Sequence, residues 1–81
     1  MTRKIKVISD LEYLIRTRME ECEDCEEVEL GYVQWHSPDE SGCNWNVPSF
    51  SGRRISVNQC YSAIESHVQD LRAQFNLPDP E

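Results

Sequence analysis

Apolar residues recur along this chain in two rhythms. Leu11, Leu14, Ile15, Met19 and Cys22 stand three or four positions apart, the spacing that lays a stripe along one face of a helix. Tyr61, Ile64, Val68, Leu71 and Phe75 repeat that spacing further on. Between the two stripes, Val28 to His36 reads V-E-L-G-Y-V-Q-W-H, a run of β-branched and aromatic residues suited to a strand. Strict alternation would put Val28, Leu30, Tyr32, Gln34 and His36 on one face and Glu29, Gly31, Val33 and Trp35 on the other. Alternation resumes with Cys43, Trp45 and Val47 on one face and Asn44 and Asn46 on the opposite one. The intervening Ser37-Pro38-Asp39-Glu40-Ser41-Gly42 has turn chemistry, so the two runs form a hairpin. Pro48 ends the second run or marks it as an edge strand. Trp35 and Trp45 then approach across the hairpin and belong to the core. An exposed tryptophan would instead become a contact anchor.

Polar punctuation sets the expected ends. Lys4 to Ile8 alternates and suits a short strand. Ser9-Asp10-Leu11-Glu12 matches a capping box, with Ile8 and Tyr13 at its hydrophobic-staple positions, so a helix is expected over about Asp10 to Cys22. Ser56-Val57-Asn58-Gln59 repeats the box before the second helix, with Ile55 and Cys60 as its staple. Arg53 to Ile55 suits a short third strand. Asn76 fits a C-terminal cap, Pro78 and Pro80 forbid continuation, and residues 77–81 read as a loose tail. The fold class is therefore α+β in a single domain over residues 1–81. A small antiparallel sheet, a hairpin plus one or two short strands, packs on two amphipathic helices in the order (β)-α-β-β-(β)-α. That element order resembles the double-stranded-RNA-binding fold. The resemblance covers element order alone. The family holds phosphates with lysines at the start of its last helix, where this chain has Ser56-Val57-Asn58-Gln59, and its function is not carried over.

Size and charge narrow the function. With 81 residues the chain buries roughly 60% of its unfolded surface and has little room for a deep substrate cavity. The formal net charge is −7. Domains that grip phosphates are strongly basic, so direct binding to nucleic acid or to anionic membranes is disfavoured. No apolar signal region follows Arg3, Lys4 and Lys6, because Asp10 and Glu12 interrupt it, and no run is long enough to span a membrane. A reducing cytoplasm is expected, where four cysteines are more often free thiols or metal ligands than disulfides.

Chemistry concentrates in Glu20 to Glu29, E-E-C-E-D-C-E-E-V-E, where seven of ten residues are acidic. Acids at the carbonyl end of a helix oppose its dipole, and a broken local rule marks a place to look for function. Glu20, Glu21, Glu23, Asp24, Glu26, Glu27 and Glu29 are the candidate partner-binding residues. Cys22 and Cys25 form half of a zinc knuckle. Cys43, Cys60 or His36 would have to complete it, because the standard second pair is missing. A redox role for the pair is disfavoured, since the surrounding carboxylates raise thiol pKa. Arg53 and Arg54 before the second helix form a candidate anion site. His36 and His67 have no nucleophile placed beside them by any motif, and the chain carries no glycine-rich phosphate loop, so an enzyme is not expected. The expectation is a cytoplasmic binding or accessory module without a cofactor, contacting a basic protein surface through its acids. The alternatives are a nucleic-acid-mimicking inhibitor of the kind small acidic proteins of mobile elements provide, a small zinc-stabilised domain, and an orphan enzyme.

Overall fold

The computed structural model describes residues 3–78. Along the chain run β1 (Lys4–Ile5), α1 (Ile8–Glu20), a 3-10 turn (Glu23–Cys25), β2 (Glu29–Trp35), β3 (Trp45–Ser51), α2 (Arg54–Gln74) and β4 (Phe75–Asn76). The α+β class and the core order of helix, hairpin and helix are as expected. The additional short strand lies after the second helix rather than before it. β1 pairs in parallel with β4, Lys4 opposite Phe75 and Ile5 opposite Asn76.

Both helices begin earlier than their capping boxes indicate. Val7 is the N-cap of α1, in extended conformation and without a side-chain cap. Its carbonyl accepts from the Asp10 and Leu11 amides. Ser9 therefore sits inside the helix, and the Glu12 carboxylate turns away to accept the Val33 amide of β2 at 3.2 Å. A tertiary donor outcompetes the local one. The Ile8–Tyr13 staple fails with the box, since Tyr13 is 65% exposed. The second box gives way to Gly52. Its φ of +146° turns the chain out of β3, Arg53 follows as the extended N-cap with its carbonyl accepting from the Val57 amide, and Arg54 begins the helix. The third strand expected at Arg53 to Ile55 is thus the N-cap and the start of the first turn of α2. Ile55 lies open to solvent, so this staple fails too.

The hairpin departs from strict alternation. Leu30 pairs with Phe50, Tyr32 with Ser49, and Gln34 with Asn46. Between the first two pairs β2 carries the extra residue, Gly31; between the next two β3 carries it, at Val47-Pro48. The first bulge shifts the phase of β2, so that Leu30 and Val33 are both buried while Tyr32 faces solvent. A Cβ on residue 31 would stand 2.6 Å from the Ser49 carbonyl oxygen, so the bulge requires glycine. The second bulge restores the register, and Trp35 meets Trp45 as expected. Only Trp45 joins the core; Trp35 stays at the surface. Pro48 does not end its strand, because β3 is an edge and nothing needs the missing amide.

One core gathers Leu11, Ile15 and Met19 of α1, Val28, Leu30 and Val33 at β2, Trp45 and Val47 of β3, and Cys60, Ile64, Val68 and Leu71 of α2. Leu14 is half-buried against it, and Phe50 meets Tyr61 edge to face. Leu77, expected to begin a loose tail, is buried: its amide donates to Asn44 Oδ1 at 2.8 Å and its carbonyl accepts from Asn44 Nδ2 at 2.9 Å. Asn44, placed by alternation on a polar face, precedes β3 and is buried because its amide completes those two bonds. Residues 79–81, the rest of the expected tail, lie outside the described residues.

Candidate functional site

The acidic segment is a connector whose anchors and charges alternate. Glu20 is the last residue of α1, and Glu21 its C-cap, donating its amide to the Arg18 carbonyl. Glu23 and Asp24 begin the 3-10 turn, Glu26 follows it, and Glu29 opens β2. All seven acids are exposed. Cys25 and Val28 between them are buried. Cys25 is joined by a disulfide to Cys60 of α2, their Cα atoms 4.6 Å apart. The segment is thereby tied to the second helix while its carboxylates project outward. Among the described residues its sole ion pair joins Arg18 to Glu21 at 3.5 Å, with both side chains largely exposed, a pairing worth little in water.

Beneath the segment, between the end of α1 and the start of β2, lies a cavity of ≈ 400 Å³. Met19, Cys22, Cys25, Val28 and Leu30 line it together with Arg16, Glu20, Glu26 and Glu29. Its lining is thus mixed: apolar residues that keep a few per cent of exposure, and charged residues that are open to water. A second hollow of ≈ 280 Å³ is almost wholly apolar, formed by Val7, Ile8, Trp35, Leu77 and Pro78. Trp35 is accordingly available as a contact anchor rather than lost to the core.

The disulfide corrects the expectation that all four cysteines are thiols or metal ligands. Cys25 and Cys60 hold each other, Cys22 is half-buried, and Cys43 is buried with its thiol donating to the Trp45 carbonyl at 3.3 Å. Among the described residues no group of three or more His, Cys, Asp or Glu side chains could hold a metal ion. The four cysteines proposed as a zinc set are therefore not brought together. Arg53 and Arg54 stand exposed at the start of α2. His36 contacts its neighbour's carbonyl through Nδ1, 2.7 Å from the Ser37 oxygen, and His67 is half-buried on α2.

A polar cluster at the hairpin loop went unread in the sequence. Asp39 Oδ1 accepts from the Ser41 hydroxyl at 2.6 Å, the Ser41 amide at 2.9 Å and the Cys43 amide at 3.2 Å. Its other oxygen pairs with Arg72 at 2.8 Å. Hydrogen bonding from Ser41, helped by the Cys43 amide and the Arg72 charge, holds this carboxyl down at about 2. Arg72 also donates through Nε to the Trp45 carbonyl, and Trp45 Nε1 donates to the Phe75 carbonyl. The Asp39-x-Ser41 spacing was the available signal for the turn; nothing local announced Arg72 as its partner. The cluster fastens the hairpin loop to the end of α2 and is architectural. With the acidic segment and its cavity as the candidate site, no protein-family model, no curated protein and no solved structure matches the chain.

Proposed function

We propose that the protein is a non-catalytic binding or accessory module that holds a basic protein surface through Glu20, Glu21, Glu23, Asp24, Glu26, Glu27 and Glu29. One observation carries this reading. All seven carboxylates are exposed on a backbone pinned at Cys25 and Val28, and they make a single weak ion pair among the described residues. Free carboxylates crowded at the end of a helix repel one another, and a cationic partner relieves that repulsion. Such a contact raises association rates and weakens with salt.

The test uses a variant with Glu20, Glu21 and Glu23 replaced by glutamine and Asp24 by asparagine, compared with the native chain in capture of partners from its own cells and in affinity for the partner found. A loss of about tenfold, with native binding falling as salt rises, supports the reading. Equal binding by the two proteins overturns it. Competition by DNA for the same partner would identify the contact as a mimic of nucleic acid, while direct affinity of this chain for DNA or RNA should be negligible at physiological salt. No helix among the described residues is long and apolar enough to cross a membrane. A cytoplasmic setting would require Cys25 and Cys60 to be kept as thiols, whereas the disulfide fits an oxidising compartment. Rapid alkylation in cells followed by mass measurement distinguishes the two.

A further inference from the structure

We propose that the cavity under the acidic segment receives the side chain of an arginine or lysine from that basic partner, the aliphatic stem lying on the apolar floor and the cationic head among the rim carboxylates. This rests on the reading above and names the partner's anchor. The floor is made by residues that remain slightly open: Met19 keeps 6% exposure, Val28 6% and Leu30 8%, whereas Leu11, Ile15 and Ile64 keep none. An apolar surface is thus available at the bottom of the cavity, and half-buried Cys22 extends it.

The rim decides what kind of group can occupy that floor. Glu20 comes from α1, Glu26 from the connector and Glu29 from β2, set against a single base, Arg16. All three residues are exposed, and among the described residues no group of such side chains could hold a metal ion. The matching cation is therefore an extended one that brings its own apolar part. A purely apolar side chain would leave carboxylates stripped of water without a partner, and an anion would be repelled. Long basic side chains bury their stems along apolar surface while keeping the charge wet, which is the division of floor and rim seen here. A volume of ≈ 400 Å³ accommodates one such side chain with water around its head.

Hexaarginine is the probe. Its control is the peptide with every arginine replaced by 2-amino-3-guanidinopropionic acid, equal in charge but with two methylenes fewer in each stem. Binding is measured at low salt, with the methyl signals of Met19, Val28 and Leu30 followed by NMR. Hexaarginine should shift those methyls to saturation and bind about tenfold tighter than the control, the gain expected from burying two methylenes. Cys22→Phe fills the floor and should abolish the methyl shifts and the preference. Should that variant melt early, Glu26→Gln with Glu29→Gln, both on the surface, is the second variant: overall affinity must fall while the preference for the long stem persists. Equal affinity for the two peptides with unmoved methyls overturns the groove. The acidic-surface reading survives that result if binding still weakens in the Glu20/Glu21/Glu23/Asp24 variant. No binding of either peptide at low salt removes both.

Discussion

Gly31 and Asp39 each carry a local geometry that no neighbour can replace. A methyl group on residue 31 would collide with a backbone carbonyl, which cannot swing aside as a side chain does. Gly31→Ala should therefore cost about 1–3 kcal/mol, read from the midpoint of a denaturant titration, with β2 amides losing protection first. Asp39 sets a sign that pH can read. Its carboxyl is held at about 2 in the folded protein against an ordinary 3.8, so its stabilising effect is fully present above pH 4 and fades as pH falls toward 2. Asp39→Asn should melt below the native protein at neutral pH, and the gap should close on acidification. A gap that persists at pH 2 would show that the amide's poorer fit, rather than the charge, is responsible. The glycine was visible in the sequence only as an interruption of alternation; the aspartate was visible as a turn residue, without its arginine.

At the scale of elements, the stripes were legible and the boundaries were not. Periodicity found both helices because Leu11, Ile15, Ile64, Val68 and Leu71 have no other way to be buried in so short a chain. Both helix starts were misplaced for one physical reason: a capping box is a local offer, and it loses when a β-strand amide claims Glu12 or when Gly52 lets the chain turn early into helix. The Cys25–Cys60 pairing was likewise beyond reach, because it depends on where the connector crosses α2. The acidic connector makes its own prediction. Neutralising Glu20, Glu21, Glu23 and Asp24 should leave the melting temperature unchanged or slightly raised, since like charges at a helix C-terminus oppose the dipole. A clear drop in melting temperature would make those acids structural. The disulfide has the opposite character. It closes a loop with a sequence separation of 35, so replacing both cysteines with alanine should lower stability by roughly 3–4 kcal/mol on the chain-entropy account. A loss well under 1 kcal/mol would mean that packing alone fixes the connector.

For the molecule as a whole, one small core serves both helices and the hairpin. Leu71 is 6% exposed, and Leu71→Ala should cost roughly 2–5 kcal/mol, a large part of what a domain of this size possesses. Calorimetry should show a single transition for the native chain and the variant; two transitions would mean that the hairpin and the helices are held separately. The closing pair of strands has a mechanical consequence. β1 and β4 lie side by side and run in the same direction, near opposite ends of the sequence. Pulled apart by those ends, they slide past each other, and their hydrogen bonds are strained together rather than opened one at a time. Once they part, the disulfide stops the extension from reaching the loop between Cys25 and Cys60. A single molecule stretched under oxidising conditions should thus fall short of its reduced counterpart by about 120 Å, the contour of 35 residues at roughly 3.5 Å each. Cys25 divides the acidic face: Glu26, Glu27 and Glu29 lie inside the locked loop and bear no load while the disulfide holds, whereas Glu20, Glu21, Glu23 and Asp24 lie on the strained side of it.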